Sequence, residues 1–243
     1  MTTLVVGASG ATGRQLVNQL LDCGQNVKVI VRSPERVPQS WKNNNRLCIV
    51  HASVLELTDF EMAECVKGCQ AIASCLGHTL SWKGVYGQPR RLVTDTVQRC
   101  CNAISANAPE EPIKYVLMNT TGNRNRDLNE RISFGQKCII GLIRLLLPPH
   151  ADNETAADYL REKIGQSNQF VQWVAVRPDS LVDEEKVTNY EVYSSPIKSA
   201  IFDSGRTSRI NVGHFMANLI RDESLWEKWK GQMPVIYNTV SSN

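Results

Sequence analysis

The sequence has little net charge and no long uninterrupted apolar run. Its 27 basic and 24 acidic residues leave a formal net charge of +3, which is too small and too evenly spread for a nucleic-acid-binding surface. The most apolar stretch, residues 138–147, is short and contains Arg144, whereas a membrane-spanning helix needs about 20 apolar residues. We therefore expect no nucleic-acid partner and no membrane span. We interpret the stretch as a buried or interface helix that ends at Pro148 and Pro149.

Signals for a metal site or a disulfide framework are also missing, although the chain has eight cysteines. Cys65 and Cys69 lack the spacing of zinc ligands, as do Cys100 and Cys101, and no second pair completes a site. Most of the cysteines lie in or beside apolar segments, where they behave as small hydrophobic residues. No secretory signal pattern precedes the first predicted strand. We expect no bound metal and a reducing, cytoplasmic location.

Strand-like and helix-like segments alternate along the chain. Runs of apolar and β-branched residues predict strands at 4–6, 27–31, 47–50, 71–75, 115–118 and 173–176. Helical periodicity predicts helices at 13–23, 34–41, 59–66, 92–107, 132–147 and 153–166. This alternation is typical of a doubly wound parallel sheet with helices on both faces. We predict a single α/β domain of Rossmann type over residues 1–243, without repeats or linkers.

A glycine-rich turn separates the first predicted strand from the first predicted helix. Gly7 permits a tight turn, Gly10 the approach of a pyrophosphate to the backbone, and Gly13 close packing of helix and strand. The start of the helix offers N–H groups and a positive dipole end to the phosphates. Strand, turn and helix in this order predict a dinucleotide-binding site. Its contacts are expected from Gly7, Ser9, Gly10, Ala11, Thr12 and Gly13.

An acidic residue is absent where the second predicted strand ends. Sites that prefer NAD usually place a carboxylate there to hold the ribose 2′-hydroxyl, whereas this sequence has Arg32, followed by Ser33 and Arg36. A guanidinium forms charge-assisted hydrogen bonds with a phosphate, and a serine hydroxyl donates a further bond. We therefore predict that NADP(H) is preferred over NAD(H). The alternative is that both arginines are simply exposed at a helix start.

The spacing G-x-x-G-x-x-G, with Ala11 and Thr12 before the last glycine, resembles that of the atypical short-chain dehydrogenase/reductase superfamily, in its NmrA-like and biliverdin/flavin-reductase-like branch. The resemblance implies that residues from about 178 to 243 form a small C-terminal substrate-side region. There we predict strands at 190–194, 208–212 and 234–237 and a helix at 213–220. The resemblance also implies cofactor contacts at the ends of the third to sixth strands, from Ser53, Val54, Cys75, Leu76, Gly77, Asn119, Thr120 and Pro178.

The superfamily's catalytic pair is a tyrosine that donates a proton and a lysine that lowers the tyrosine pKa, spaced Tyr-x-x-x-Lys. Here this spacing joins Tyr159 and Lys163. In the family register Glu154 takes the lysine position, so Tyr159 is expected to face the core. Ser133 and Lys137 repeat the spacing with a serine, which cannot replace a phenol as the acid. The candidate catalytic residues are Tyr159, Lys163, Thr120 and Thr121.

Two functions of different classes fit these features. The first is an NADPH-dependent oxidoreductase that reduces a flavin, a quinone or another planar carbonyl-type acceptor, for which the protein need supply no acid. Its acceptor would lie against His78, Trp82 and Tyr86, whose aromatic rings could stack on it. The second is a non-catalytic NADP(H)-binding redox sensor of the NmrA type, acting through a regulatory protein partner. Trp226 and Trp229 belong either to the core or to the interface of a homodimer.

Overall fold

A computed structural model of the chain describes residues 1–78, 82–128, 130, 135, 139, 141, 144, 146–199 and 203–239. The strands within these ranges are β1 (Thr2–Val6), β2 (Asn26–Val31), β3 (Leu47–His51), β4 (Ala71–Ser74), β5 (Ile113–Met118), β6 (Val171–Pro178), β7 (Ser180–Val182), β8 (Tyr190–Tyr193), β9 (Arg206–Ser208) and β10 (Val235–Asn238). The helices are α1 (Ala11–Asp22), α2 (Gln39–Lys42), α3 (Asp59–Val66), α4 (Trp82–Tyr86), α5 (Leu92–Asn107), α6 (Pro148–Asp158), α7 (Arg209–Arg221) and α8 (Glu223–Trp229). A 3-10 turn covers Pro34–Arg36, and a π-helical turn covers Tyr159–Ile164.

Eight of these strands form one sheet in the order β3-β2-β1-β4-β5-β6-β10-β8. The strands from β3 to β10 in this order run parallel, and β8 pairs antiparallel with β10. The short strands β7 and β9 form a separate parallel pair. The strand order reverses between β1 and β4. In sheets of this kind the ligand crevice lies at that point, outside the carboxyl ends of the strands.

Alternate residues of the central strands face two separate apolar cores. One core contains Leu4 and Ile72 together with helices α3, α5 and α6. The other contains Val5 and Ala73 together with α1, α7 and α8, including both tryptophans of α8. Sequence neighbours on a strand therefore point to opposite faces, and helices cover both faces. The prediction of a doubly wound α/β fold of Rossmann type is confirmed.

The C-terminal region differs from the prediction at residues 208–212, where we expected a strand. Ser208 is instead the N-cap of α7, because its Oγ accepts the backbone N–H of Asn211 at 3.3 Å. The helix therefore begins at Arg209 and buries Val212 against the sheet. The β-branched residues favoured a strand, but the serine cap and the packing of a helical face decide the structure.

The paired prolines start helix α6, five residues before the helix predicted at 153–166. Pro148 occupies the first turn of α6, where a missing N–H removes no helical hydrogen bond and a fixed φ suits the helix. The apolar stretch at 138–147, which we interpreted as a helix ending there, lies largely outside the described residues. Of its described members, residues 139, 141, 144 and 146 are helical and Leu147 is not, which agrees with a helix that ends at the prolines. Leu146 and Leu147 are exposed.

Candidate functional site

The glycine turn between β1 and α1 brings the backbone close to the end of β4. Gly7 has a φ of +75°, and a Cβ there would lie 2.6 Å from the backbone carbonyl carbon of Cys75. Only glycine fits such a position. A Cβ on Gly13 would overlap the carbonyl oxygen of Gly7, which also accepts the N–H of Gly10 at 3.0 Å. The turn therefore has the tight form that a pyrophosphate site needs.

The start of α1 is open to an anion. The helix begins at Ala11 with Gly10 as its N-cap, and among the described residues no side chain accepts a hydrogen bond from its first N–H groups. Its first turn contains no acidic residue. Free N–H groups at the positive end of a helix dipole are a favourable site for a phosphate.

A cleft of about 440 Å³ extends from this turn across the ends of β2, β3 and β4. Of the residues predicted to bind the cofactor, it is lined by Gly7, Ser9, Arg32, Ser53, Val54 and Leu76. The remaining lining residues are Ile30, Val31, Ala52, Leu55, Glu56, Gln88, Pro89 and Leu92. The segment 88–92 was missed by sequence reasoning because no motif marks it. The mixture of apolar walls and few polar groups is typical of a small-molecule site.

Arg14 connects α1 to the turn that follows β2. Its Nη2 donates a hydrogen bond to the carbonyl oxygen of Arg36 at 2.8 Å, while its buried Nε has no partner among the described residues. Arg32 is exposed and lines the cleft, and its carbonyl oxygen lies 2.9 Å from Nε2 of His51. Arg14 was also missed from the sequence. Its position directly after Gly13 is the signal that could have identified it.

The end of β4 contributes backbone more than side chains. Cys75 is buried, its Sγ lies 4.0 Å from Sδ of Met216, and burial raises the pKa of its thiol to about 12. The thiol is therefore a packed side chain and not a nucleophile. Of the three predicted residues here, only Leu76 lines the cleft, and Gly77 follows it at the sheet edge.

The three residues predicted to hold the acceptor have different environments. His78 is buried, with Nε2 2.8 Å from a carboxylate oxygen of Asp152. The same carboxylate accepts the backbone N–H of Thr94, at 3.0 Å, in the first turn of α5. Trp82 and Tyr86 are 83% and 44% exposed on α4, with ring centroids 5.3 Å apart. None of the three lines the cleft described above.

Polar contacts join the carboxyl end of β5 to α6 and β6. Buried Asn119 donates from Nδ2 to the carbonyl oxygen of Asn153 at 3.0 Å, and its Oδ1 accepts the N–H of Thr120 at 2.8 Å. The N–H of Thr121 donates to the carbonyl oxygen of Pro178 at 3.1 Å. The structure thus brings Asn119, Thr120 and Thr121 close to Pro178 at the end of β6.

A buried ion pair holds the segment after β5 against β6. Arg177 is fully buried and donates to both carboxylate oxygens of Glu130, at 2.7 and 3.2 Å. It also donates to the carbonyl oxygens of Asn123, Met233 and Ser194. Such an arginine is fully hydrogen-bonded, so the chain can bury its charge. The partner of Arg177 was missed by sequence reasoning, because Glu130 is 47 residues away in the sequence.

The Tyr159 and Lys163 pair lies on the π-helical turn after α6. Tyr159 packs against the core that contains α5, and burial raises the pKa of its phenol. A catalytic tyrosine needs a lowered pKa. The side chain of Lys163, which would lower it, is exposed to solvent. The structure places Tyr159 in the orientation expected from the family register. Ser133 and Lys137 lie outside the described residues.

No group of three or more His, Cys, Asp or Glu side chains that could hold a metal ion occurs in the described part of the chain. None of the helices found there has the length and apolar character needed to cross a bilayer.

Comparison with known proteins agrees with this geometry. The profile of the NAD(P)H-binding family matches residues 7–223. An uncharacterized chloroplastic protein of Arabidopsis thaliana is 44% identical over 74 residues, which is 30% of this chain and 26% of that protein. The match thus spans about a quarter of the relative's length.

Solved structures share the fold at low sequence identity. A proposed NAD-dependent epimerase/dehydratase of Bacillus halodurans has 19% identity and a TM-score of 0.72 over 98% of this chain and 94% of its own. A short-chain dehydrogenase/reductase of Veillonella parvula in complex with NADP has 13% identity and a TM-score of 0.70 over 100% of this chain and 96% of its own. A proposed NADH-flavin reductase of Streptococcus pneumoniae has 16% identity and a TM-score of 0.66 over 98% of this chain and 100% of its own. The chain therefore belongs to the NAD(P)H-binding family.

Proposed function

We propose that the protein is an NADPH-dependent reductase that transfers a hydride to a flavin, a quinone or another planar carbonyl-type acceptor. The observation that carries the proposal is the continuous path from the uncapped start of α1 to the cleft lined by Arg32. A dinucleotide fits this path because its phosphates would meet free N–H groups and its adenosine half would meet Val54 and Leu76. When bound, the nicotinamide supplies the electrons and the hydrogen for reduction.

The charge at the end of β2 supports a preference for the 2′-phosphorylated cofactor. Arg32 lines the cleft and is free to turn toward a phosphate, while Arg14 holds the turn after it through the carbonyl oxygen of Arg36. Glu56 lines the same cleft and opposes an anion there. Preference for NADPH therefore requires that Arg32 lies closer to the 2′-position than Glu56 does. The similarly folded protein of Veillonella parvula binds NADP.

Two observations support a planar acceptor. Tyr159 is partly buried against the core and burial raises its pKa, which disfavours it as the proton donor. Planar conjugated acceptors place the smallest demands on such a donor. The exposed rings of Trp82 and Tyr86 offer a surface on which a planar molecule can stack. The Streptococcus pneumoniae protein of similar fold is a proposed flavin reductase.

The core position of Tyr159 also favours a second function. A protein with an intact nucleotide site and no tyrosine acid can bind NADP(H) without turning it over. It would then act as a redox sensor of the NmrA type, which reports the redox state of the nucleotide through a protein partner. In that case Trp82 and Tyr86 would contact the partner and not an acceptor.

The two functions separate in one set of assays. NADPH oxidation by the purified protein is measured with FMN, menadione and an aromatic aldehyde, and every assay is repeated with NADH. Turnover with a planar acceptor that is at least about tenfold faster with NADPH supports the reductase. Tight NADPH binding without turnover of any acceptor supports the sensor. Failure of both nucleotides to bind contradicts both functions.

A further inference from the structure

One histidine at the carboxyl edge of the sheet is not used by the cofactor site. His150 lies in the first turn of α6, and the Cε1–Nδ1 edge of its ring faces Gly122, shortly after β5. A Cβ on Gly122 would lie 3.1 Å from Cε1, 3.6 Å from Nδ1 and 3.6 Å from the hydroxyl oxygen of Thr120. His150 and Thr120 therefore both lie beside Gly122, beyond the end of β5, at the edge where sheets of this type bind their ligands.

The other side of the imidazole ring faces a fixed ion pair. Nε2 is buried without a hydrogen-bond partner among the described residues, and it lies 3.9 Å from a carboxylate oxygen of Glu154. Arg144 holds that carboxylate with two hydrogen bonds, of 2.5 Å from Nε and 2.7 Å from Nη2. The Glu154 carboxylate favours the tautomer with its proton on Nε2. In this tautomer Nδ1, on the side that faces Gly122, can take up or release a second proton.

The surroundings of His150 set its protonation. Burial is the main cause that lowers the pKa of His150; Arg144 lowers it further and Glu154 raises it. On its other side the ring faces Gly122, with Thr120 nearby in the segment that follows β5, and both residues are uncharged. The side chain keeps 13% of its surface exposed, so protons can exchange with solvent. The neutral ring dominates at pH 7, and the protonated ring is an acid strong enough to donate.

We propose that His150 is the proton donor to the acceptor, in an inference that rests on the reductase function proposed above. The nicotinamide gives the acceptor two electrons and one hydrogen and is itself oxidised, so the acceptor oxygen needs one further proton. An O–H bond forms there as the Nδ1–H bond of protonated His150 breaks. The ring is left neutral with its other proton on Nε2, and solvent restores the proton at Nδ1. The Thr120 hydroxyl can hold the same oxygen by a hydrogen bond.

The first test replaces His150 by glutamine, which keeps hydrogen bonding but cannot titrate. With an aromatic aldehyde as acceptor, His150→Gln is expected to lower kcat/KM about 10²-fold and to change the NADPH Kd less than about twofold. In the wild type, kcat/KM falls about tenfold per pH unit above the lowered pKa, because the donor is the protonated ring. This dependence should disappear in the variant. Unchanged activity and an unchanged pH profile would overturn the proposal.

His214→Gln is the matched control. His214 is likewise half-buried with a pKa lowered by burial, and its Nδ1 lies 2.8 Å from the hydroxyl of Tyr190. Its replacement should leave kcat/KM and the pH profile within about twofold of the wild type, because it has no contact with the predicted acceptor. Equal losses in the two variants would overturn the specific role of His150.

A second test moves the ring without removing it. Gly122→Ala places a methyl group 3.1 Å from Cε1 of His150, so the imidazole must shift by a few tenths of an ångström. The expected result is a loss of kcat of about tenfold with unchanged NADPH affinity, because proton donors act only within hydrogen-bond reach. Turnover at the wild-type rate would count against the proposal.

A third readout does not depend on turnover. The chain has only four histidines, so the imidazole NMR signals of His150 and His214 can be assigned with the two glutamine variants. Adding NADP⁺ together with menadione should shift the His150 signal and its titration midpoint but not those of His214. Nucleotide binding that leaves the His150 signal unchanged overturns the His150 proposal alone. Absence of nucleotide binding overturns the reductase itself.

Discussion

The two halves of the carboxyl edge are built in different ways. The nucleotide half is formed by the backbone of one short stretch, in which Gly7 and Gly13 bring β1, α1 and β4 into contact. The half beyond β5 is held by hydrogen bonds from side chains to residues that lie 34 to 74 positions away in the sequence. These pairs are Asn119 with Asn153, Arg177 with Glu130, and His78 with Asp152.

The difference between the two halves determines where the specificity for the cofactor and for the acceptor resides. A cradle of backbone N–H groups binds the phosphates of any dinucleotide, because every residue type except proline provides such a group. A set of side-chain pairs can change its chemistry with one substitution. We therefore expect the β1–β4 half to define the cofactor and the β5–β6 half to define what is reduced.

The largest expected effect is on stability and concerns the buried ion pair of the half beyond β5. Arg177→Met leaves Glu130 buried without its partner, and the free energy of unfolding should fall by about 3–5 kcal/mol in urea titrations. Arg161→Met is the control, because the carboxylates that Arg161 contacts are partly exposed and such pairs contribute about 1 kcal/mol or less. Equal losses in the two variants would show that the Arg177 pair is no more important than a surface pair.

The next effect concerns the backbone cradle. Gly7→Ala forces a Cβ against the backbone at Cys75, so NADPH affinity should fall about 100-fold or more. Gly68→Ala is a matched control, since Gly68 has a φ of +74° but no atom within 4 Å of its Cβ position. It should cost about 1–2 kcal/mol of stability and leave affinity unchanged. Fluorescence titration and urea unfolding separate the two quantities.

A smaller effect sharpens the role of charge within the nucleotide half. Arg32→Ala should weaken NADPH binding by about 1–3 kcal/mol and leave NADH nearly unchanged, because only the 2′-phosphate loses a charge-assisted bond. Lys42→Ala, at the end of α2, is a control for general loss of positive charge. If both nucleotides lose affinity equally in the Arg32 variant, Arg32 does not read the 2′-phosphate. Calorimetric titration with each nucleotide gives the answer.

The smallest effect is expected at Tyr159. Because its phenol packs against the core and burial raises its pKa, Tyr159→Phe should leave kcat/KM within about threefold of the wild type. A loss of about 10²-fold or more would restore the tyrosine as the acid and would move the catalytic centre to the π-helical turn. Steady-state kinetics with NADPH and a planar acceptor measure the difference.

Much of the fold follows from local patterns in the sequence. The predicted helices at 59–66 and 92–107 coincide with α3 and α5, and the glycine turn lies where the motif placed it. Thr58 explains the first boundary, because its hydroxyl and Glu61 form a capping box that is visible in the sequence. The predicted strand at 208–212 failed because the serine cap and the tertiary packing of α7 override the preference of β-branched residues.

The candidate site was predictable only where it depends on neighbours in sequence. Arg32 follows β2 directly, so its place in the cleft could be expected. Arg14 and His150 were missed because their roles depend on Arg36, Gly122 and other groups that only the folded chain brings near. Tyr159 packs partly buried against the core, as the family register implied, although the Tyr-x-x-x-Lys spacing alone contains no information on burial.

One carboxylate described above also has a dynamic consequence. Asp152 of α6 accepts the backbone N–H groups of Val93 and Thr94 and lies 2.8 Å from the ring of His78. We expect these two amides to exchange with deuterium when the contact between α6 and α5 opens. The first turn of α5, residues 76–78 and the start of α6 are then expected to show similar protection, as parts of one cooperative unit.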